Sequence, residues 1–356
     1  MDLIPGLPFD VGLECLVRIP HHYFSSVSSV CKSWKRQIQL PEFWRHRKSS
    51  GLTRKVVVLA QARVDPTREQ GAKKYGATPV YRLTVCEPET GFWGELPPIP
   101  GFSDGLPMFC QVVGVGLKLV VMGGWDPVTW EVSSGVFIYD FISATWRRGS
   151  DMPGPRRLFF ACASDSDRTV FVAGGHDGEK CALKSAMAYD VARDEWSHLP
   201  DMSAERDESK GVYHGGKFHV ISGYETSAQG RFGTSAESLD VATRRWGPVQ
   251  EDFLDAAACP RNCADDGGGK LFMARGADVA VREGSSAWRA VAELPSDARN
   301  TAYVTAWRGK LLVIGSERFG APYKTYLLDL KRCKWEKVEA DEEFSGHVQS
   351  GCCLEL

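Results

Sequence analysis

The 356-residue sequence predicts a mainly β protein, a six-bladed propeller preceded by a small N-terminal α-helical unit. Three observations predict it. Six tryptophans, Trp93, Trp146, Trp196, Trp246, Trp288 and Trp335, recur at intervals of 53, 50, 50, 42 and 47 residues. Each follows the end of an alternating apolar stretch with five residues between, and in four of the six that end is an aspartate: Asp140, Asp190, Asp240 and Asp329. Before residue 40, by contrast, apolar residues fall three or four apart, the period of a helix rather than a strand.

The helical unit comes first. Residues 7–20, "LPFDVGLECLVRIP", place Val11, Cys15, Leu16 and Ile19 about a turn apart, with Asp10 in the first turn and Pro20 closing the segment. From Phe24 a second stripe runs through Val27, Val30, Cys31, Trp34 and Ile38. A unit of about 40 residues buries too little apolar surface to be stable alone, so part of that surface is expected to be completed by a partner. We assign residues 1–48 to it.

Residues 53–356 are assigned to the repeat. Upstream of most Asp–Trp segments lies an apolar strand ending in small residues: "KLVVMGG", "TVFVAGG", "KFHVISG", "KLFMARG" or "KLLVIGS". A turn signal and a further strand, such as "LFFACAS" or "TAYVTAW", precede each, giving four strands per repeat. The doublets Gly123–Gly124 and Gly174–Gly175 suit a tight turn and close backbone approach. The fifth repeat is shortened between its second and third strands. The first repeat begins at "KVVVLAQA", lacking its innermost strand, and "VQSGCCLEL" at the other end of the chain is a lone strand of that kind. It is expected to complete the first blade and leave no open edge.

Composition excludes several classes. A net charge of −2 gives no general attraction to nucleic acid or anionic membranes, so neither is expected as a partner. No apolar run approaches a membrane span, and "MDLIPGLPFD" lacks the features of a secretory signal. The 11 cysteines are odd in number and scattered, which points to reduced thiols in cytoplasm or nucleus. The "RHRK" cluster at 45–48 is read as solvated surface.

The strand pattern resembles the kelch family: a Gly-Gly strand end, a Tyr-Asp pair, then Trp. It is most complete in the second and third repeats, which also carry Arg156 and Arg206 ten residues beyond the Trp; these arginines are expected to support blades. The helical unit resembles an F-box, through Leu7–Pro8, Cys15–Leu16, Ile19–Pro20, Val27, "VCKSW" at 30–34, Ile38 and Phe43. That resemblance implies a module binding the Skp adaptor of a Skp–cullin–F-box ubiquitin ligase, with Leu7, Pro8, Leu16, Ile19, Pro20, Val30, Cys31 and Trp34 as interface or supporting-core positions. Cys15, where the family carries a larger aliphatic, is expected to loosen packing slightly. "LIPGLP", "ECLVRIP" and "VVVLAQARVDP" look like one plant F-box–kelch group, linked to turnover of phenylalanine ammonia-lyase in phenylpropanoid metabolism and of type-B response regulators in cytokinin signalling. Through the resemblance these are candidate targets.

Segments that suggest catalysis have structural explanations. "DGGGK" at 266–270 resembles a phosphate loop, but Leu271 stands where Ser or Thr would meet magnesium, and the segment occupies a hairpin position. Asp190, Asp194 and His198 are four apart, yet lie on a strand–turn–strand where they need not share a face. Cys259, Cys263, Cys352 and Cys353 lack zinc spacing. No catalytic residue, metal or cofactor is therefore assigned. Recognition remains, and the connections between second and third strands at 63–79, 125–134 and 224–236 mix Arg, Lys, Trp and Tyr with Gly and Ser. Arg63, Trp125, Trp130, Arg231, Arg318 and Phe319 are the candidate target contacts. The function expected is the non-catalytic substrate receptor of a ubiquitin ligase. Two alternatives stay open: a kelch-type metal or small-molecule enzyme with its site in the central channel, and a scaffold that degrades nothing.

Overall fold

The computed structural model describes residues 3–64, 79–256, 258–284 and 286–356. Six four-stranded antiparallel sheets form a ring, each contributing one blade of the expected propeller. Five blades run through the chain in order from their innermost strand outward. The first is completed from far away: Val348–Glu355 is its innermost strand, antiparallel to Lys55–Ala62 from Lys55 opposite Glu355 to Gln61 opposite Val348. The shortened connection of the fifth repeat is a two-residue turn between Lys270–Arg275 and Asp278–Glu283.

The core is a ring rather than a centre. Each buried apolar cluster draws on two neighbouring blades; one joins Val120, Met122 and Ile138 to Phe160, Val170, Val172 and Tyr189 across the second and third. The repeating tryptophans, on or beside the outermost strands, carry the polar counterpart. Every one of the six donates its indole N–H to a backbone carbonyl at or beyond the end of the previous blade's outer strand. Trp146 reaches Pro97 at 2.9 Å, Trp196 reaches Ser150 at 2.9 Å, Trp246 reaches Pro200 at 2.7 Å and Trp288 reaches Phe253 at 2.7 Å. Trp335 bonds Glu293 at 2.8 Å, and Trp93 closes the circle on Glu339 at 3.1 Å.

The repeating aspartates hold the turns before those tryptophans. One carboxylate oxygen accepts from the backbone N–H groups that follow, as in Asp140 with Ile142 and Ser143, or Asp329 with Lys331 and Arg332. The turn then needs a residue with positive φ two before the Trp, and Ala144, Asp194, Arg244 and Cys333 adopt it at 54°, 60°, 54° and 51°. In the first blade, where Glu87 replaces the aspartate, that position is Gly91. Asp190 and Asp194 are thus turn-makers: Asp190 pairs with Arg168, and Asp194 accepts from the Tyr189 hydroxyl and from the Ser150 N–H.

The expectation for Arg156 is corrected. Arg206 is buried and donates to Ser222 O, Ser235 O and Ser235 Oγ, clamping the ends of two strands in the fourth blade. Its counterpart in the third blade is Arg157, equally buried, on Gly174 O, Ser185 O and Ser185 Oγ. Arg156 points to solvent beside Glu131. The connection "MPGPRR" is one residue longer than "MSAER", so a fixed count from the Trp lands one position early. Among the described residues no helix is long and apolar enough to cross a membrane.

Candidate functional site

The N-terminal unit is four helices: α1 (Phe9–Val17), α2 (Phe24–Val30), α3 (Lys32–Ile38) and α4 (Pro41–Ser49). Leu3, Leu16, Val17, Phe24, Val27, Ile38 and Phe43 form its core. The second apolar stripe is not one helix. Cys31 is extended (φ −159°, ψ 163°) and caps α3, its sulfur accepting from the Trp34 N–H at 3.4 Å. The break turns Val30 and Cys31 outward, so Val30 is 61% exposed.

At the centre of the unit sits Arg47, which the "RHRK" cluster placed on the surface. It is buried, donating to the carbonyls of Val17, Ile19 and Leu52, with its guanidinium 4.9 Å from the Phe24 ring. Burial without a carboxylate draws its pKa down to about 10. One side chain thereby ties the ends of α1 and α4 to the segment entering the propeller. Tryptophan N–H groups make two further links, Trp34 to Leu3 O at 2.6 Å and Trp44 to Ile38 O at 2.7 Å.

The sequence-assigned residues of this unit separate into two groups. Leu16 is core, Trp34 and Ile19 are half-buried behind it, and Leu7 is half-buried at the entrance to α1. Pro8, Pro20, Val30 and Cys31 lie on the surface. Cys15 is exposed as well, so its small volume costs no core packing. Phe9 and Val11, which sequence reasoning passed over, are 44% and 46% exposed. Of ten large hydrophobic side chains exposed among the described residues, five (Phe9, Val11, Tyr23, Val30 and Leu40) fall in the first 40 residues. So dense an apolar surface on so small a unit marks a site of protein contact.

The unit packs on one face of the propeller, the face bearing the turns between first and second and between third and fourth strands. Ile142 from such a turn joins its core, and Leu117 packs against it. Glu355 accepts from Lys48 and from Thr53, both at 2.7 Å. Arg308 pairs with Glu89 and donates to Thr53 O.

The candidate target contacts all lie on the opposite face, where second strands lead to third and blade leads to blade. Arg63 belongs to the first blade, Trp125 and Trp130 to the second, Arg231 to the fourth, and Arg318 and Phe319 to the sixth. The structure brings five of them to three neighbouring blades and leaves Arg231 across the ring. Trp130 and Phe319 project, 57% and 83% exposed; Arg231 and Arg318 are exposed; Arg63 is held by Glu95 at 2.8 Å. Trp125 does not project. It stands edge-on to Phe109 and Phe159 in a wall at the mouth of the central channel. Residues 65–78, most of the first connection, lie outside the described residues. Among the described residues no group of three His, Cys, Asp or Glu side chains is placed to hold a metal ion.

The F-box domain model matches residues 4–46, and the Kelch motif model matches residues 108–153 and 156–203. F-box/kelch-repeat protein At1g15670 of Arabidopsis thaliana is 50% identical over 360 residues, spanning all of both chains. F-box/kelch-repeat protein At1g80440 of the same plant is 48% identical, again over the whole of both. F-box/kelch-repeat protein SKIP20, also from Arabidopsis thaliana, is 35% identical over 73% of this chain and 69% of its own. With whole-length identity of this order, an F-box core of four helices and a six-bladed ring behind it, the chain belongs to the plant F-box/kelch-repeat proteins.

Proposed function

We propose that the protein is the non-catalytic substrate receptor of a Skp–cullin–F-box ubiquitin ligase, acting in the cytoplasm or nucleus. The observation that carries this reading is the opposition of two surfaces. An apolar helical patch of Pro8, Phe9, Val11, Cys15, Val30 and Cys31 is exposed on one unit, and the varied loops open on the far face of the other. The patch docks the Skp-type adaptor and through it cullin; the loops hold the target. Ring and helices packed through Ile142 and Glu355 make a spacer of fixed geometry, so the contribution is effective concentration of target lysines rather than bond chemistry.

Within this reading phenylalanine ammonia-lyase and type-B response regulators are the first targets to test, on the strength of the N-terminal resemblance. Arg63, Trp125, Trp130, Arg231, Arg318 and Phe319 are the side chains to vary. The deciding experiment is co-purification of a Skp adaptor with the intact chain and with a Pro8→Ala, Val30→Asp variant, both positions lying outside the core. Retention by the parent and loss in a variant with an unchanged melting temperature supports the assignment. An intact, folded chain that retains no adaptor overturns it.

A further inference from the structure

The channel that opens on the loop face holds a charge arrangement that the receptor reading leaves without a role. A cavity of about 70 Å³ lies at its mouth, lined by residues from all around the ring. Lys210, from the innermost strand of the fourth blade, is half-buried in its wall, and Arg261, just before the fifth blade, reaches the same space. Among the described residues neither has a carboxylate within ion-pair distance, and the groups that act on the lysine are Arg261 and the thiols of Cys162, Cys259 and Cys263. Burial, with Arg261 adding to it, holds the Lys210 pKa below the usual lysine value. Lys210 is costly to hold charged in that wall without an anion, and Arg261, which is exposed, turns a second unpaired cation toward the same cavity.

The backbone around the cavity is strained in a regular way. Phe109, Phe159 and Glu208 each stand two residues before the innermost strand of successive blades, with φ of 60°, 51° and 50°. Positive φ in a phenylalanine or glutamate is uncommon, and here it recurs in three successive blades around one cavity. The Gly-Gly strand ends permit it: a Cβ on Gly175 would stand 2.3 Å from Leu158 O, so any side chain there would push the Phe159 loop away. Phe109 and Phe159, 4.9 Å apart between centroids, form an apolar wall beside the cations, and Trp125 packs edge-on against both. Ser350 and Gln111 complete the lining with neutral polar groups. Glu208 is the one acid there, and it accepts from the Tyr224 hydroxyl at 3.0 Å.

We propose that this channel mouth binds an oxyanion presented on a peptide segment of the target, with Lys210 and Arg261 holding the anion and the Phe109–Phe159 wall packing its stem. The proposal rests on the receptor reading for the ligand being part of a target. The test is selection of random displayed dodecapeptides on the intact chain, followed by affinity measurement with synthetic copies. Recovered peptides are expected to carry an Asp or Glu, or a free terminal carboxylate, at one position. Binding should fall on the order of 10- to 100-fold in a Lys210→Met, Arg261→Gln variant and rise in Glu208→Gln, a change of sign that a merely structural role would not give. Copies with that acid changed to its amide, with an amidated terminus, or with phosphoserine in its place identify the source of the anion. Peptides without acidic enrichment, no recovered peptide, or affinities indifferent to Lys210→Met, Arg261→Gln overturn the proposal. Adaptor retention on the same preparations separates this failure from failure of the receptor reading.

Discussion

Two equivalent arginines with unequal surroundings allow a sharp test of what holds the blades together. Arg206 has a carboxylate partner, Glu237, at 3.1 Å, and both are nearly inaccessible, at 5% and 1% side-chain exposure. Arg157 fills the same cradle of carbonyls one blade earlier, but the position equivalent to Glu237 is Met187, and its Nε has no partner. Arg206→Met would strand the Glu237 carboxylate with a single backbone donor, Ser203 N at 2.9 Å, and leave Ser222 O without its donor, while Ser235 O keeps only the Ser222 N–H at 2.8 Å. Removal of one member of a buried pair of this kind costs about 3–5 kcal/mol. Glu237→Met removes the same ion pair, but Arg206 keeps three acceptors, at 3.0, 3.3 and 3.0 Å. What is newly orphaned is the Ser203 N–H, a loss of about 1–3 kcal/mol, and the Arg206 Nε–H, a group that the Arg157 cradle also leaves without a partner. The expected order is therefore Arg206→Met well below Glu237→Met, with a gap of roughly 2 kcal/mol. Urea unfolding followed by tryptophan fluorescence measures both variants. If Glu237→Met is as damaging as Arg206→Met, the carbonyl cradle is not the main anchor and the reasoning fails.

Three further outcomes follow from the same structure. His219 and His347 are half-buried and neutral, one accepting from Ser238 and the other from Tyr81, and loss of solvent lowers both pKa values to about 4. The unfolded chain binds protons below about pH 6.5 that the folded one refuses, so stability is complete above that pH. It falls by up to about 1.4 kcal/mol per unit for each histidine between pH 6.5 and 4; denaturation midpoints at pH 7 and 5 check this, and His347→Gln should flatten the dependence. Arg244→Gly relieves a positive φ of 54° at an exposed turn and should raise stability by about 0.5–1 kcal/mol; an unchanged or lower midpoint would contradict it. Arg47→Met frees three carbonyls, and limited proteolysis should then cut between residues 18 and 23 while the propeller fragment stays intact. Unchanged protection there would mean that Arg47 is not the tie.

The ring was legible because its marks repeat. Six tryptophans at a common spacing locate six outer strands, and a lone strand in "VQSGCCLEL" finds its place because the first repeat lacks one. What the Trp indoles do was not legible, since their acceptors lie 35–49 residues back in five blades and on Glu339 in the first. Arg157 was missed for the opposite reason: a single extra residue in one connection moved the role by one position. In the helical unit, a period of three or four suits both one bent helix and two helices broken at Cys31, and only the extended backbone there exposes Val30. Lys210 and Arg261 carried no sequence signal at all. They sit in different blades at positions that the repeat does not mark, and their meaning arises only when the ring closes around them.

That closure also sets a timetable. The innermost strand of the first blade is residues 348–355, while its partner is residues 55–62. On a ribosome adding about 5–20 residues per second, the partner strand waits roughly 15–60 seconds for its mate. Through that interval the helical unit has no Glu355 to rest on, and the first blade presents a bare strand edge to any passing chain. A nascent product released early can never become a ring, however well its finished blades have folded. The ring thus closes only once residues 348–355 have been made.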